Sequence, residues 1–295
     1  MAGGTGGHIL PALAVARLLR ARGIHVLWLG SRGGMEARMV PESGFELAAV
    51  EIGGVRGKGL GTRLAAPWRL LKAVIQSMTI MRAHRPRLVL GFGGFVAGPG
   101  GLAARALGIP LVIHEQNAIA GLTNRVLARM ANRVLAGYPG AFAEGAEVIG
   151  NPVRPDIADL PGPDERMAGR GGPMRLLVVG GSLGARALNE LIPQALARIP
   201  AEQRPRITHQ TGMANLESVK ADYVKAGLNP ASDVELLPFI NNMAQRLAEC
   251  DVILCRAGAI TVSELCAAGV ASLLVPLVVS TTAHQRDNAI YMAER

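Results

Sequence analysis

Short apolar runs alternate with helical stretches along most of this 295-residue chain, and that alternation leaves few folds open. "IHVLWLG" (24–30), "RLVLGFGG" (87–94), "PLVIHEQN" (110–117), "MRLLVVGG" (174–181), "DVILCRAG" (251–258) and "ASLLVP" (271–276) have the length and branched side chains of strands buried on both faces. Between them lie helical patterns such as "LPALAVARLLRARG" (10–23) and "ARALNELIPQALARI" (185–199). Strand, loop and helix in repeated order predict the α/β class with parallel sheets.

One stretch breaks the rhythm. "GNPVRPDIADLPGPDERMAGRGGP" (150–173) is dense in Pro, Gly and charge, and reads as an interdomain connection. It divides the chain into an N-terminal domain, 1–153, and a C-terminal domain, 154–295. The halves echo each other: "AGGTGGHILPALAVARLL" (2–19) and "VGGSLGARALNELIPQAL" (179–196) each open a helix with a glycine loop. Two similar halves predict a cleft, with ligand beyond the carboxyl ends of the strands, where these loops lie.

Composition narrows the function. With 49% hydrophobic residues the chain can bury a real core, yet no apolar run reaches the roughly 18 residues of a membrane span. A net charge of +9 selects anionic partners. Aromatics are only 3% and no nucleic-acid motif is present, so a diphosphate ligand or an anionic membrane surface fits better than nucleic acid. Cys250, Cys255 and Cys266 fall in apolar segments without CxxC spacing, which predicts buried, reduced thiols of a cytoplasmic protein.

A glycine-rich turn before a helix exposes backbone N–H groups at the positive end of that helix, which suits an anion. The dinucleotide fingerprint fails, because Ile9 stands where its third glycine belongs. "GVRGKG" (54–59) fails as an ATP loop: Gly59 follows Lys58, and Ile52 replaces the first glycine. "CRAGAITVSELCAAG" (255–269) is the third such loop. Thr261 or Ser263 is expected to cap its helix, and Glu264, about a turn in, can accept from a ribose diol or simply favour the helix N-terminus.

"GGTGGHILPALAVA", "GFGGFVAGPGGLAA", "HEQNAIAGLTNR", "GNPVRPD", "VVGGSLGARALN" and "CRAGAITVSELCAAG", in that order, resemble the bacterial MurG family of peptidoglycan N-acetylglucosaminyltransferases from end to end. The resemblance implies the GT-B architecture, two Rossmann-like parallel-sheet domains facing across a cleft. It implies transfer of N-acetylglucosamine from UDP-N-acetylglucosamine to the C4 hydroxyl of the N-acetylmuramyl unit of lipid I, giving lipid II, with inversion and without metal or other cofactor. For the donor it implies Ser182 and the run Ala259, Ile260, Thr261, Val262 and Ser263 at the diphosphate. Ile240 goes to the uracil, Glu264 to the ribose, Gln285 to the sugar hydroxyls, and Arg154 to another substrate contact. Thr5, Gly6 and Gly7 form the loop facing the donor across the cleft, for the lipid I diphosphate or, as in the family, also the donor, and Asn117 matches a further family contact. For His8, ending the first loop, three roles stay open: general base, phosphate donor or loop packing. His25, His84 and His209 read as ordinary residues, and His114 as either.

The lipid acceptor implies a peripheral protein at the cytoplasmic face of the inner membrane. "PWRLLKAVIQSMTIMRAHR" (67–85) places Trp68, Leu71, Ile75 and Met78 on one helical face, flanked by Arg63, Arg69, Lys72 and Arg82. That reads as an interfacial docking patch, against the alternative of a core helix with a basic outer face. Only Met1 and Ala2 precede the first glycine loop, and the last segment starts a helix without a stop signal. The family's first strand and last elements are therefore expected to be missing from this chain. A UDP-N-acetylglucosamine 2-epimerase, a transferase with a diffusible acceptor, and a non-catalytic nucleotide-sugar-binding protein are the rival readings.

Overall fold

The computed structural model describes residues 1–52, 66–181, 184–277 and 284–294. The chain forms two compact units, Met1–Pro152 and Val153–Arg295.

The N-terminal unit begins with α1 (Gly6–Ala21), β1 (Leu27–Ser31), α2 (Glu36–Glu42) and β2 (Glu46–Val50). It continues through α3 (Ala66–His84), β3 (Val89–Gly91), α4 (Ala97–Ala106), β4 (Leu111–Glu115), α5 (Leu122–Ala128), β5 (Arg133–Ala136) and β6 (Glu147–Val148). All strand pairs are parallel: β1 with β2, and β3, β4, β5 and β6 in that order. β4, "LVIHE", buries residues toward both faces, which explains why it reads as a continuous run rather than an alternation. Met1 and Ala2 run beside β3. The Phe92 N–H donates to the Met1 carbonyl at 2.9 Å, and the Trp28 indole donates to the Ala2 carbonyl at 3.0 Å.

One core of this unit gathers Val89, Leu111, Ile113, Leu127 and Met81. A second gathers Ile9, Leu13, Trp28, Val40, Phe45 and Phe92, and fixes α1 behind the first glycine loop. α4 is nearly all Gly and Ala on its inner side, which lets its neighbours come close: a Cβ on Gly101 would stand 2.5 Å from Leu127.

The C-terminal unit holds α6 (Pro155–Ala158), α7 (Pro163–Met167), β7 (Arg175–Val179), α8 (Arg186–Ala197), β8 (Arg206–Gln210), α9 (Leu216–Lys225) and β9 (Val234–Leu237). Then follow α10 (Met243–Glu249), β10 (Val252–Cys255), α11 (Ala259–Ala268), β11 (Ala271–Leu274) and α12 (His284–Ala293). Its sheet is parallel, in the order β11-β10-β7-β8-β9. That is the Rossmann-like arrangement, with the chain crossing back to begin again beside β7.

The stretch 150–173 is not a free connection. Ile157 is fully buried in the C-terminal core beside Leu177, Ile253 and Leu265. Arg166 donates to the carbonyls of Leu247 and Ala268, and Arg170 pairs with Asp251 at 2.9 Å. Its Pro and Gly content reflects two short helices laid on the unit, not a solvated tether. The cysteine expectation also needs correcting. Cys250 and Cys255 are buried, and burial pushes their thiols up to about 11 and about 12, but Cys266 is exposed.

A buried polar network lies inside this unit. His209 Nδ1 stands 3.0 Å from the Tyr223 hydroxyl, and its Nε2 stands 3.2 Å from Asn189 Oδ1. The Asn189 amide nitrogen donates to the Thr211 carbonyl, so Oδ1 must accept from His209 Nε2–H, and Nδ1 takes the tyrosine proton. His209 is thus a neutral core residue, lowered to about 4 by burial. An unfolded histidine binds its proton near pH 6.5, so stability is complete above that pH and is lost as pH falls toward 4. At pH 5 denaturant unfolding of the C-terminal unit should show a loss of about 2 kcal/mol relative to pH 7, absent from a His209→Gln variant. Equal pH sensitivity in both proteins contradicts this.

Candidate functional site

The first glycine loop ends at Thr5, where α1 begins with extended backbone and no side-chain cap. Thr5 and Gly7 are exposed and Gly6 is half-buried, so the first turn of a 16-residue helix presents its N–H groups outward. The loop is held from behind by a carboxylate. Glu36, almost fully buried, accepts from the Gly4 N–H at 3.0 Å, the Ser31 N–H at 3.0 Å and the Ser31 hydroxyl at 2.6 Å. Burial pushes this carboxyl up, but the hydrogen bonds from Ser31 and Gly4 outweigh it and hold it below the ordinary range. The other wall is the turn after β3. Gly94 has φ of +83°, and a Cβ there would overlap the Gly3 carbonyl. Gly93 has φ of +94°, and a Cβ there would stand 2.9 Å from the His8 ring.

His8 therefore lies against glycine backbone. Its Nδ1 is 3.0 Å from Gln116 Oε1. The Gln116 amide nitrogen is 2.9 Å from the His114 carbonyl and 3.1 Å from His114 Nδ1. His114 Nε2 reaches the Gly150 carbonyl at 2.9 Å. Burial lowers the His114 imidazole, despite that bond and the nearby Glu115. Glu115 organises the loop after β4: it accepts from the Asn117 N–H and side-chain amide, the Gly121 N–H and the Asn124 amide, all between 2.9 and 3.1 Å. Asn117 is thus fixed by its neighbour rather than left loose. Sequence reasoning assigned no role to Gln116 or Glu36. Gln116 sits inside the quoted "HEQN", but nothing local marks Glu36, whose partner Gly4 is 32 residues away.

In the C-terminal unit, α11 begins directly after Gly258, which is its N-cap without a side-chain bond. Thr261 and Ser263 are not caps, since both lie inside the helix, and the Ser263 hydroxyl donates back to the Ala259 carbonyl at 2.9 Å. Ala259, Ile260 and Val262 are buried, whereas Thr261 and Ser263 between and after them are half-buried. Glu264 pairs with Arg154 at 2.9 Å, which brings two of the expected site residues together. Burial pushes the Glu264 carboxyl up, against the pull of Arg154. Ile240 is core, packed among Leu177, Leu247 and Ile253, while its neighbour Phe239 is exposed. What that loop exposes is therefore the Phe239 ring, not Ile240. Gln285 accepts from the Leu277 N–H at 2.8 Å. In the loop before α8, Gly181 has φ of +84° and its N–H donates to Gln210 Oε1, while Ser182 lies outside the described residues.

No helix among the described residues is long and apolar enough to cross a membrane. α3 buries only Ala73, Ser77 and Met81, a narrow seam of every fourth residue. Trp68 is 75% exposed, Leu71 49% and Ile75 55%, whereas Met78 packs on the core. Three of the four stripe residues thus face solvent, which a core helix would not allow. Lys72 is engaged by Glu51 at 2.6 Å. Arg63 and "GVRGKG" (54–59) lie outside the described residues.

The chain is similar to known proteins. The Glycosyltransferase family 28 N-terminal domain matches residues 1–136, and its C-terminal domain matches residues 175–295. The chain belongs to glycosyltransferase family 28. It is 54% identical over its whole length to an enzyme of Ralstonia nicotianae, covering 80% of that relative. To one of Chromobacterium violaceum it is 55% identical, covering 82%. Each is named UDP-N-acetylglucosamine–N-acetylmuramyl-(pentapeptide) pyrophosphoryl-undecaprenol N-acetylglucosamine transferase. The crystal structure of Acinetobacter baumannii MurG superposes with a TM-score of 0.84 at 42% identity, over 100% of this chain and 82% of that one. The kitacinnamycin glycotransferase, 18% identical with a TM-score of 0.65, shares the fold.

Glu36→Gln keeps the shape of the loop anchor and removes its charge. The variant should lose about 2 kcal/mol in denaturant unfolding at pH 7, the cost of weakened bonds to buried donors. The wild-type carboxyl sits below its unfolded value, so its stabilisation is present above that value and lost as pH falls. The gap between the proteins should close in acid. An unchanged midpoint at pH 7 contradicts the anchor role.

Proposed function

We propose that this chain transfers N-acetylglucosamine from UDP-N-acetylglucosamine to the C4 hydroxyl of the N-acetylmuramyl unit of lipid I, forming lipid II with inversion at C1 and without a metal ion. The observation that carries this reading is the full-length likeness, at 54–55% identity, to relatives whose names give that donor and acceptor.

The donor belongs to the C-terminal unit. Backbone N–H groups at the start of α11 take the diphosphate, joined by Ser182. Glu264 accepts from the ribose hydroxyls, with Arg154 neutralising its charge when no nucleotide is there. Gln285 reaches the sugar hydroxyls, and the Ile240 backbone meets the uracil. The N-terminal unit receives the acceptor through Thr5, Gly6, Gly7 and Asn117.

His8 is the general base. It takes the C4 hydroxyl proton as the oxygen bonds to C1 of the sugar. The bond from C1 to the diphosphate oxygen breaks, and its electron pair leaves with UDP. Oriented N–H groups stabilise that developing charge by roughly 3 kcal/mol each when well aligned. Nε2 of His8 has no hydrogen-bond partner among the described residues, which leaves it available for this proton.

The enzyme works as a peripheral protein at the cytoplasmic face of the inner membrane, docked through Trp68, Leu71 and Ile75. Arg69 and Arg82 beside this stripe each add about 1 kcal/mol on an anionic leaflet. Lys72, held by Glu51, contributes less to docking than sequence alone indicates.

UDP release from UDP-N-acetylglucosamine should require a short-chain lipid I analogue and persist in EDTA. Release without acceptor favours the epimerase or another reading. His8→Gln should lower kcat by about 100-fold or more and remove the acid limb of the pH–rate profile. An unchanged profile rejects the base assignment. Sedimentation with anionic vesicles should weaken in a Trp68→Ser, Leu71→Ser, Ile75→Ser variant; equal binding rejects docking through α3.

A further inference from the structure

Gln116, His114 and Gly150 form one chain of hydrogen bonds behind His8, and its ends fix every proton in it. Gly150 offers a carbonyl, which can only accept, so His114 Nε2 carries a hydrogen. His114 is buried and its imidazole is lowered by that burial, so it is neutral and its Nδ1 holds a lone pair. Gln116 faces that lone pair and the His114 carbonyl at 3.1 and 2.9 Å. Both are acceptors, so the group between them is the amide nitrogen. The flipped amide would set oxygen against oxygen. The amide oxygen is thereby turned to His8 Nδ1 at 3.0 Å, and an oxygen there requires a hydrogen on Nδ1.

We propose that Gln116, oriented by His114, is a positioning residue that holds neutral His8 in its Nδ1–H tautomer, leaving the Nε2 lone pair outward as the site of proton uptake. The inference rests on the reading of His8 as general base. Free imidazole side chains favour the opposite tautomer, with hydrogen on Nε2, which would leave the base facing the wrong way. The geometry around the ring supports a fixed orientation. Gly93 lies against the Nδ1 and Cε1 edge so closely that a Cβ would stand 2.9 Å from each. Gln116 is itself held: it is 1% exposed, and its backbone carbonyl accepts from the Asn151 amide at 3.0 Å. Neither Gln116 nor His114 need touch substrate for this role.

The test is the nitrogen-15 spectrum of the full chain labelled at histidine, recorded without substrate at a pH where His8 is neutral. Two-bond correlations report which ring nitrogen bears hydrogen. Wild-type His8 should be the Nδ1–H form. Gln116→Met, close in shape but without an acceptor, should move it toward the Nε2–H form. The buried His209 signals serve as the folding control for the C-terminal unit, and the Trp28 indole proton, held on the Ala2 carbonyl, for the N-terminal unit. In kinetics, Gln116→Met should lower kcat by about 10- to 100-fold while KM for UDP-N-acetylglucosamine stays within about twofold. A wild-type His8 already in the Nε2–H form overturns the proposal, even if Gln116→Met proves unable to fold. A Gln116→Met protein that folds and keeps the Nδ1–H form also overturns it. If the tautomer is as stated but His8→Gln keeps full kcat, the base assignment falls and the wiring stands.

Discussion

Backbone amides beyond the carboxyl ends of parallel strands have no ladder partner, and the N-terminal unit satisfies them with two buried carboxylates. Glu36 closes the glycine loop before α1 from behind by binding the Gly4 and Ser31 amides. Glu115 does the same for the loop after β4, through Asn117, Gly121 and Asn124. A buried carboxylate is tolerated only where such donors surround it. Each charge and its loop therefore depend on the other. With both loops anchored, His8 and Gln116 meet at hydrogen-bond distance although they stand 108 residues apart.

The C-terminal unit uses a different solution for a related task. Its loops turn on glycines, and α11 starts at Gly258 without a side-chain cap bond. The Glu264 carboxylate is not a loop anchor but half of an ion pair with Arg154. That pair keeps a partly buried charge compensated. It also ties the segment just before α6 to α11, within the unit Val153–Arg295.

Much of this was readable from the residues, and the failures have a common cause. Parallel strands announce themselves as continuous apolar runs, and β1, β3, β4, β7, β10 and β11 fall where those runs stand. The weaker strands β2, β5, β6, β8 and β9 carry charged or polar residues at one end and gave no such signal. Glycine loops identify themselves by composition, but the side chains that hold them do not. Glu36 acts on Gly4, and His114 acts on Gly150, only after the chain has folded. Side-chain direction was the other gap. Ile240 and Val262 look like contact residues by position, yet both are buried in the core. Ser263 looks like a cap by type, yet its hydroxyl turns back to Ala259 once the helix starts two residues earlier than Thr261. Trp68 was the reverse case: a stripe that the helical period could equally assign to a core proved to be exposed.

Joining of two sugars on a lipid carrier is read by incubating the purified protein with UDP-N-acetylglucosamine and a short-chain lipid I analogue, and examining the lipid product by mass spectrometry and proton NMR. The expected product is heavier by one N-acetylhexosamine residue, β-linked to the C4 oxygen of the muramyl unit, with UDP released in equal amount. An α-linked sugar, attachment at another hydroxyl, or UDP released with no change in the lipid would contradict it.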